Sequence, residues 1–301
     1  ALRSPRRTEW TGHLEGVGRV RCVTFRDQRG AGGTFRILSP RAATMEQLGL
    51  TPEMRALALE PDGLVLVAGP RSSGKSTLLA AYVNLINQTR RDHVITIEDE
   101  VRVVHAQRGS LVSQREVRGS AMEQLAATEI ALREDPDVLV IEDLRSDAIV
   151  HLAIDAAKSG RLVIAGLQGR TPAEAVDRIL DHYQPGERGQ AQLAIAATLR
   201  GIVVQVLLRK PGGGRLAARG LLLNTPVVKG LIAEGRTSQL AQAIDAGQKL
   251  GMLSINAALA GLVQSGAVDI REAYRHVGDR RGFISLLERN GIETSSLERL
   301  A

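Results

Sequence analysis

The run Gly69-Pro70-Arg71-Ser72-Ser73-Gly74-Lys75-Ser76 sets a lysine and a hydroxyl directly behind a glycine, with a second glycine five residues upstream. That spacing, G-x-x-x-x-G-K-[ST], suits the phosphates of a nucleoside triphosphate such as ATP. The glycines let backbone N–H groups curl around a β-phosphate, and a helix starting near Lys75 adds its positive dipole end. Lys75 would then reach the β- and γ-phosphates, Ser76 would ligate Mg²⁺, and Thr77 would support the loop. Two acidic groups complete the candidate chemistry. Glu98, Asp99 and Glu100 follow the apolar run 94–97, and Glu142 and Asp143 follow the apolar run 138–141. Adjacent residues on a strand point to opposite faces, so only one of Glu142 and Asp143 can face a phosphate. Read generically, Glu142 goes to the metal and Asp143 to water.

These residues need a scaffold that holds them at one edge. After Asp62 and Gly63 short apolar strands alternate with helices: strands over 64–68, 94–97, 138–141 and 162–165, with helices opened by Ser120 with Glu123 and by Thr171 with Pro172 and Glu174. Such alternation predicts a mainly parallel sheet covered on both faces, with ligands beyond the strand carboxyl ends, where the motifs fall. Strands over 202–208 and 216–223, joined through 211–214, predict a closing hairpin, and the pattern beyond Thr225 is helical, with breaks near Gly235, Gly251, Gly266 and Gly278. Upstream, alternation over 17–25 and 34–38 around a glycine-rich turn at 30–33 predicts another hairpin, ended by Pro40. Thr44 with Gln47 predicts the start of a short helix, and Thr51 with Pro52 another. The first ten residues read as basic and irregular, and a start at Ala1 reads as a cut fragment. No internal repeat is evident.

Composition bounds the function. Of 301 residues 44% are hydrophobic and 24% charged, ordinary for a globular chain. The longest apolar runs, 63–69 and 201–208, are too short to span a bilayer, and no signal peptide opens the chain, which favours the cytoplasm. The net charge of +6 permits an acidic partner, but aromatics are 2% and the basic residues are dispersed, so no nucleic acid is expected. The lone Cys22 reads as a buried structural thiol, and none of the six histidines is spaced as a metal pair. By spacing alone, Arg21 and Arg36 are solvated charges on strands.

Taken together, Arg21 to Arg36 with Gln28-Arg-Gly-Ala-Gly32, the phosphate loop, Thr96-Ile-Glu-Asp99, Gln114-Arg-Glu-Val117, Leu132-Arg-Glu-Asp-Pro-Asp137, Asn224-Thr-Pro226 and Leu250-Gly-Met252 resemble the twitching-motility ATPases of the PilT and PilU type. The resemblance covers nearly the whole chain. It implies a RecA-like α/β domain with a mainly parallel sheet at 59–224, preceded by part of a PAS-like α+β N-terminal domain with its linker at 1–58, whose front half is missing, and followed by a small helical subdomain at 225–301. It also implies a homo-oligomer, a hexameric ring that retracts type IV pili from the cytoplasmic face of the inner membrane, beside an inner-membrane platform protein. Arg21 and Arg36 match the two arginines that contact phosphates in that family. A guanidinium there neutralises charge developing on a γ-phosphate.

The match is uneven in the catalytic positions. The family reads T-I-E-D-P-I-E, with the last glutamate beside the attacking water; this chain reads Thr96-Ile-Glu-Asp-Glu-Val-Arg102. The family ends its next strand in Gly-Glu, and this chain has Glu142-Asp143, so alignment sets Asp143 against the metal and phosphate, one methylene short. The family's two histidines fall on Arg161 and Gln168, neither of which titrates near neutral pH. The expectation is a nucleotide-binding relative with slow, altered or lost hydrolysis, acting with an active homologous ATPase. Its rivals are a fully active motor using Glu98, Asp143 or Glu142, and, from other classes, a RecA-like DNA-handling ATPase or a regulatory nucleotide-binding module.

Overall fold

The computed structural model describes residues 8–38, 41–117, 120–295 and 297. Three antiparallel strands come first, β1 (Thr8–Leu14), β2 (Gly18–Asp27) and β3 (Gly30–Ile37), in the order β1-β2-β3. Alternation along β2 buries Val20, Cys22 and Thr24 and turns Arg21 and Val23 the other way. Cys22 is buried, as its setting in an apolar alternation suggests. The structure departs from the sequence reading in two places here. Residues 8–10, read as irregular, lie in β1, which pairs with β2 along its whole length. The turn falls at 28–29, and the glycines 30–33 lie inside β3, where Gly32 leaves room for the Phe25 ring: a Cβ there would meet it at 2.7 Å. Residues 1–7 and Pro40, which carried the irregular start and the end of the hairpin, lie outside the described residues.

Thr44 and Gln47 do exchange the reciprocal bonds of a capping box, at 3.2 and 2.9 Å. Only a turn follows, however, because Gly49 takes a left-handed φ of 66° and the residue before Pro52 is pushed out of the helical region. The first helix is therefore α1 (Pro52–Ala56), capped by Thr51.

The main domain runs β4 (Gly63–Ala68), α2 (Lys75–Thr89), β5 (His93–Glu98), β6 (Leu111–Glu116), α3 (Ala121–Arg133), β7 (Val138–Ile141), α4 (Asp147–Lys158), β8 (Leu162–Leu167), α5 (Pro172–Leu180), α6 (Arg188–Thr198), β9 (Leu199–Arg209) and β10 (Arg215–Leu223). Its seven-stranded sheet has the order β10-β9-β4-β8-β7-β5-β6, parallel except for β10. Both faces are covered. Leu64, Leu66 and Ala68 of β4 pack with α4, α5 and α6, while Val65 and Val67 pack with Leu78, Tyr82 and Ile86 of α2. That burial on both sides is why β4, β7 and β8 read as unbroken apolar runs. Strand β6 escapes the sequence reading because it is an edge strand, where Ser113, Gln114 and Arg115 need only partial burial.

Among the described residues five helices follow: α7 (Pro226–Ala233), α8 (Leu240–Ala246), α9 (Ile255–Gln264), α10 (Ile270–Tyr274) and α11 (Arg280–Arg289). They divide between two cores. Val228, Ile232, Leu240 and Ile244 join the core of the main sheet, whereas Leu259, Ala273, Tyr274, Phe283 and Leu287 form a separate one against Val206, Leu208 and Ala218 of β9 and β10. Among the described residues no helix is long and apolar enough to cross a membrane.

Candidate nucleotide site

The glycine-rich loop connects the central strand β4 to α2, beyond the carboxyl edge of the sheet. Its shape needs its glycines. A Cβ on Gly69 would stand 2.4 Å from the Gln205 carbonyl, and Gly74 takes φ 88° with no room for a side chain beside the Gln205 amide. Ser72 is held at φ 61°, an uncommon conformation that costs energy and marks a loop fixed by its surroundings. Pro70 and Ser73 close the loop through a backbone bond of 3.3 Å from the Ser73 N–H, and Arg71 stands exposed.

One residue that fixes the loop is absent from the sequence reading. Gln205, buried in β9, donates to the Ser73 carbonyl at 2.7 Å and accepts from Arg219 Nε at 2.6 Å, and Arg219 reaches on to the Leu48 carbonyl at 2.6 Å. Its signal was available: a single amide inside the apolar run 202–208 must find partners.

Lys75 Nζ donates to the carbonyls of Gly69 at 2.8 Å and Pro70 at 3.1 Å. Burial lowers its pKa, and Asp143 and Glu142 oppose that shift. Ser76 Oγ donates to Glu142 Oε1 at 2.5 Å, while Glu142 Oε2 accepts the Asp99 N–H at 2.8 Å. Glu142 is thus the acid in contact with Ser76. Asp143 bonds Arg145 Nε at 3.3 Å and opens on a neighbouring cleft of about 360 Å³ that also holds Gln168 and His182, yet it is near enough to act on Lys75. Thr77, in the first turn of α2, is exposed.

Glu98, at the end of β5, accepts from Thr96 Oγ1 at 2.6 Å and from Gln114 Nε2 at 2.9 Å. Burial raises its pKa; those two hydrogen bonds pull the other way. Between Glu98, Glu142, Ser76 and His105 lies a cavity of about 20 Å³, room for one water. His105 is neutral there, its pKa pushed down to about 4 by burial. The same Gln114 Nε2 also donates to the Val103 carbonyl at 2.9 Å, and the amide oxygen accepts the His105 backbone N–H at 2.9 Å, so β6 brackets the acidic loop.

Arg102 stands 3.8 Å from Glu142 Oε1 and 3.5 Å from Glu100 Oε2. Arg21 and Arg36 are direct cross-strand partners on β2 and β3, and both point at the same Glu100: Arg21 pairs with one oxygen and Arg36 reaches the other at 3.4 Å. A continuous line of contacts thus runs from the N-terminal sheet to the glycine-rich loop. Arg161 lies elsewhere. It precedes β8, at the end of the strand away from the loop, and pairs with Asp135 at 2.6 Å, whereas Gln168 follows β8 at the loop's end. Among the described residues no group of three or more His, Cys, Asp or Glu could hold a metal by itself.

Comparison with known proteins places this geometry. The family model described as "Type II/IV secretion system protein" matches residues 15–245. The type IV pilus retraction ATPase PilT of Pseudomonas aeruginosa is 37% identical over 266 residues, 88% of this chain and 77% of that protein. PilU of the same organism, a type IV pilus ATPase, is 32% identical across 93% of this chain and 74% of its own length. Among solved structures, the pilus retraction motor PilT with bound ADP superposes with a TM-score of 0.84 at 32% identity, covering 94% of this chain and 80% of that one. On the glycine-rich loop, the parallel sheet that carries it and these matches, the chain belongs to the type II/IV secretion system protein family, as a PilT-type ATPase with a RecA-like fold.

Proposed function

We propose that this chain is an ATP-binding ring subunit of a type IV pilus retraction machine, or a related secretion machine, and that it hydrolyses ATP slowly or not at all. The observation that carries the second half is the Ser76–Glu142–Arg102 contact line. Where the pilus-motor pattern has a glutamate beside the attacking water, Arg102 offers a cation that never accepts a proton. Losing such a base costs on the order of 10² to 10⁴ in rate. Binding is supported by the complete cradle: glycine-rich loop, Lys75 and a helix N-terminus. The oxygen ligands suit Mg²⁺, which needs few protein groups beside phosphates and water. Ser76 with Glu142, or with Asp143, would hold it, and it would neutralise phosphate charge there.

In this reading 1–58 is an N-terminal unit and its linker, 59–224 the ATPase core and 225–301 a helical subdomain. The subunits form a homo-oligomer, a hexamer, in the cytoplasm against the inner membrane, with an active homologous ATPase and the pilus platform protein as partners and no nucleic acid. Arg21 and Arg36 would meet the nucleotide. A second reading, an active motor, is favoured by one feature: Glu98 is a partly buried carboxylate of raised pKa beside a cavity that fits a water. Turnover of ATP by the full protein, alone and mixed with an active homologue, tests both. A rate at least about tenfold below that of the homologue is expected from the loss of a base. Rapid hydrolysis abolished by Glu98→Gln would establish the active motor instead.

A further inference from the structure

Arg21 and Arg36 sit directly opposite each other on neighbouring strands, on the same face. Like charges in that position repel, and an anion between them offsets that cost. Glu9 supplies part of it, pairing with Arg21 from β1. The rest comes from Glu100, whose side chain is only 9% exposed and faces three guanidinium groups: Arg21 on Oε1, and Arg36 and Arg102 on Oε2 at 3.4 and 3.5 Å. Burial alone would raise its pKa, yet the arginines hold it below the usual carboxylate range, so it stays charged. The cluster begins one carboxylate away from the phosphate cradle, since Arg102 also faces Glu142, which holds Ser76. Lys75 donates to the loop carbonyls of Gly69 and Pro70, and the three arginines are further cations beside the cradle.

We propose that Glu100 determines nucleotide specificity: its carboxylate occupies Arg21, Arg36 and Arg102 in place of a terminal phosphate, and a nucleoside triphosphate must displace it to recruit them. This rests on the reading that the glycine-rich loop binds nucleotide. A γ-phosphate carries more charge than a carboxylate and three acceptor oxygens, so it can take over the guanidinium forks. A nucleoside diphosphate has no group to compete with. Glu100 therefore weakens ATP binding and leaves ADP binding alone, which lowers the ATP preference of the chain.

Equilibrium titrations of the full chain with fluorescent ATP and ADP analogues, with Mg²⁺ at fixed salt, test this. Glu100→Gln keeps the shape and removes the charge. If the arginines are free about a tenth of the time in the wild type, it tightens ATP by about tenfold. ADP affinity is expected to stay unchanged, and adding Arg36→Gln to Glu100→Gln should take back part of the gain. An unchanged ATP-to-ADP ratio in a folded Glu100→Gln protein overturns the proposal. Should that variant fail to fold, as judged by its melting curve, Glu100→Asp withdraws the carboxylate by one methylene, and a partial gain in the same ratio is expected; no gain is equally fatal. Lys75→Ala separates the two levels. If it leaves both affinities intact, the loop is not the nucleotide site and both readings fall, whereas Lys75-dependent binding with an unmoved ratio rejects the role of Glu100 alone.

Discussion

On the proposed reading, restoring the glutamate of the pilus-motor pattern at position 102 is the obvious way to raise turnover, and the structure predicts that by itself it fails. Arg102 stands 3.8 Å from Glu142 and 3.5 Å from Glu100. At such distances a unit-charge pair is worth about 4 kcal/mol at an effective dielectric of about 20. The Arg102 side chain is 47% exposed, so solvent reduces each pair to about 1 kcal/mol. Arg102→Glu loses two attractions and adds up to two repulsions, and should cost roughly 2 to 4 kcal/mol of stability. It should also push the new carboxylate out toward solvent. Glu142→Gly, which restores the family's glycine before the acid at 143, removes one repulsion. The pair should therefore be coupled by about 1 to 2 kcal/mol, well beyond the additivity error of about 0.5 kcal/mol. Only the double variant should gain turnover, by about tenfold or more, as expected for a recovered base. The assay is phosphate release beside urea unfolding for all four proteins of the cycle. Additive stabilities, or a full gain in turnover from Arg102→Glu alone, would refute the argument.

Gln205→Leu preserves volume but deletes the bond to the Ser73 carbonyl and leaves Arg219 Nε without its 2.6 Å acceptor. Two buried polar groups lose partners, so a loss of about 2 to 4 kcal/mol in urea unfolding is expected, with weaker nucleotide binding. A loss below about 0.5 kcal/mol, the range of ordinary surface changes, would contradict the role given to this amide. Glu98 offers a pH test. Its folded pKa is raised, so the stability it contributes is present below its ordinary value of 4.5 and is lost as pH rises through the folded value. Glu98→Gln should accordingly melt above the wild type at neutral pH, and the gap should close by about pH 4. A gap that is constant with pH would show that the carboxylate titrates normally.

The sheet was legible because β4, β7 and β8 are buried on both faces and leave unbroken apolar runs, and because Thr51, Ser120, Thr171 and Thr225 each cap the helix that follows. What escaped had weaker local signals. Strand β1 has no apolar alternation of its own and exists through its pairing with β2, and β6 is an edge strand of polar residues. In the site, the glycine-rich loop was complete in sequence, since its function depends on contiguous backbone. Gln205 lies 132 positions from the serine it holds, and Glu100 reaches arginines 64 and more residues away. Such partners are products of the fold. Whether Glu142 or Asp143 meets the loop was equally undecidable from spacing, because both follow the strand end; the bond to Ser76 goes to Glu142.

The departures from the pilus-motor pattern also argue against simple decay of the site. Glutamate for proline at 100, arginine for glutamate at 102 and glutamate for glycine at 142 are three charge changes that look unrelated along the chain. In space they are successive links between Arg21 with Arg36 and Ser76. Unconnected substitutions in a half-buried region would leave lone charges, each costing several kcal/mol unless it found a partner or neutralised. Here every new charge faces an opposite one: Glu100 faces the arginines, and Arg102 faces both Glu100 and Glu142. The carboxylate removed at 102 reappears at 142, against the hydroxyl that would hold the metal. That is the pattern of a connected charge network rather than of unrelated losses, and it explains why single reversions should each be worse than the set.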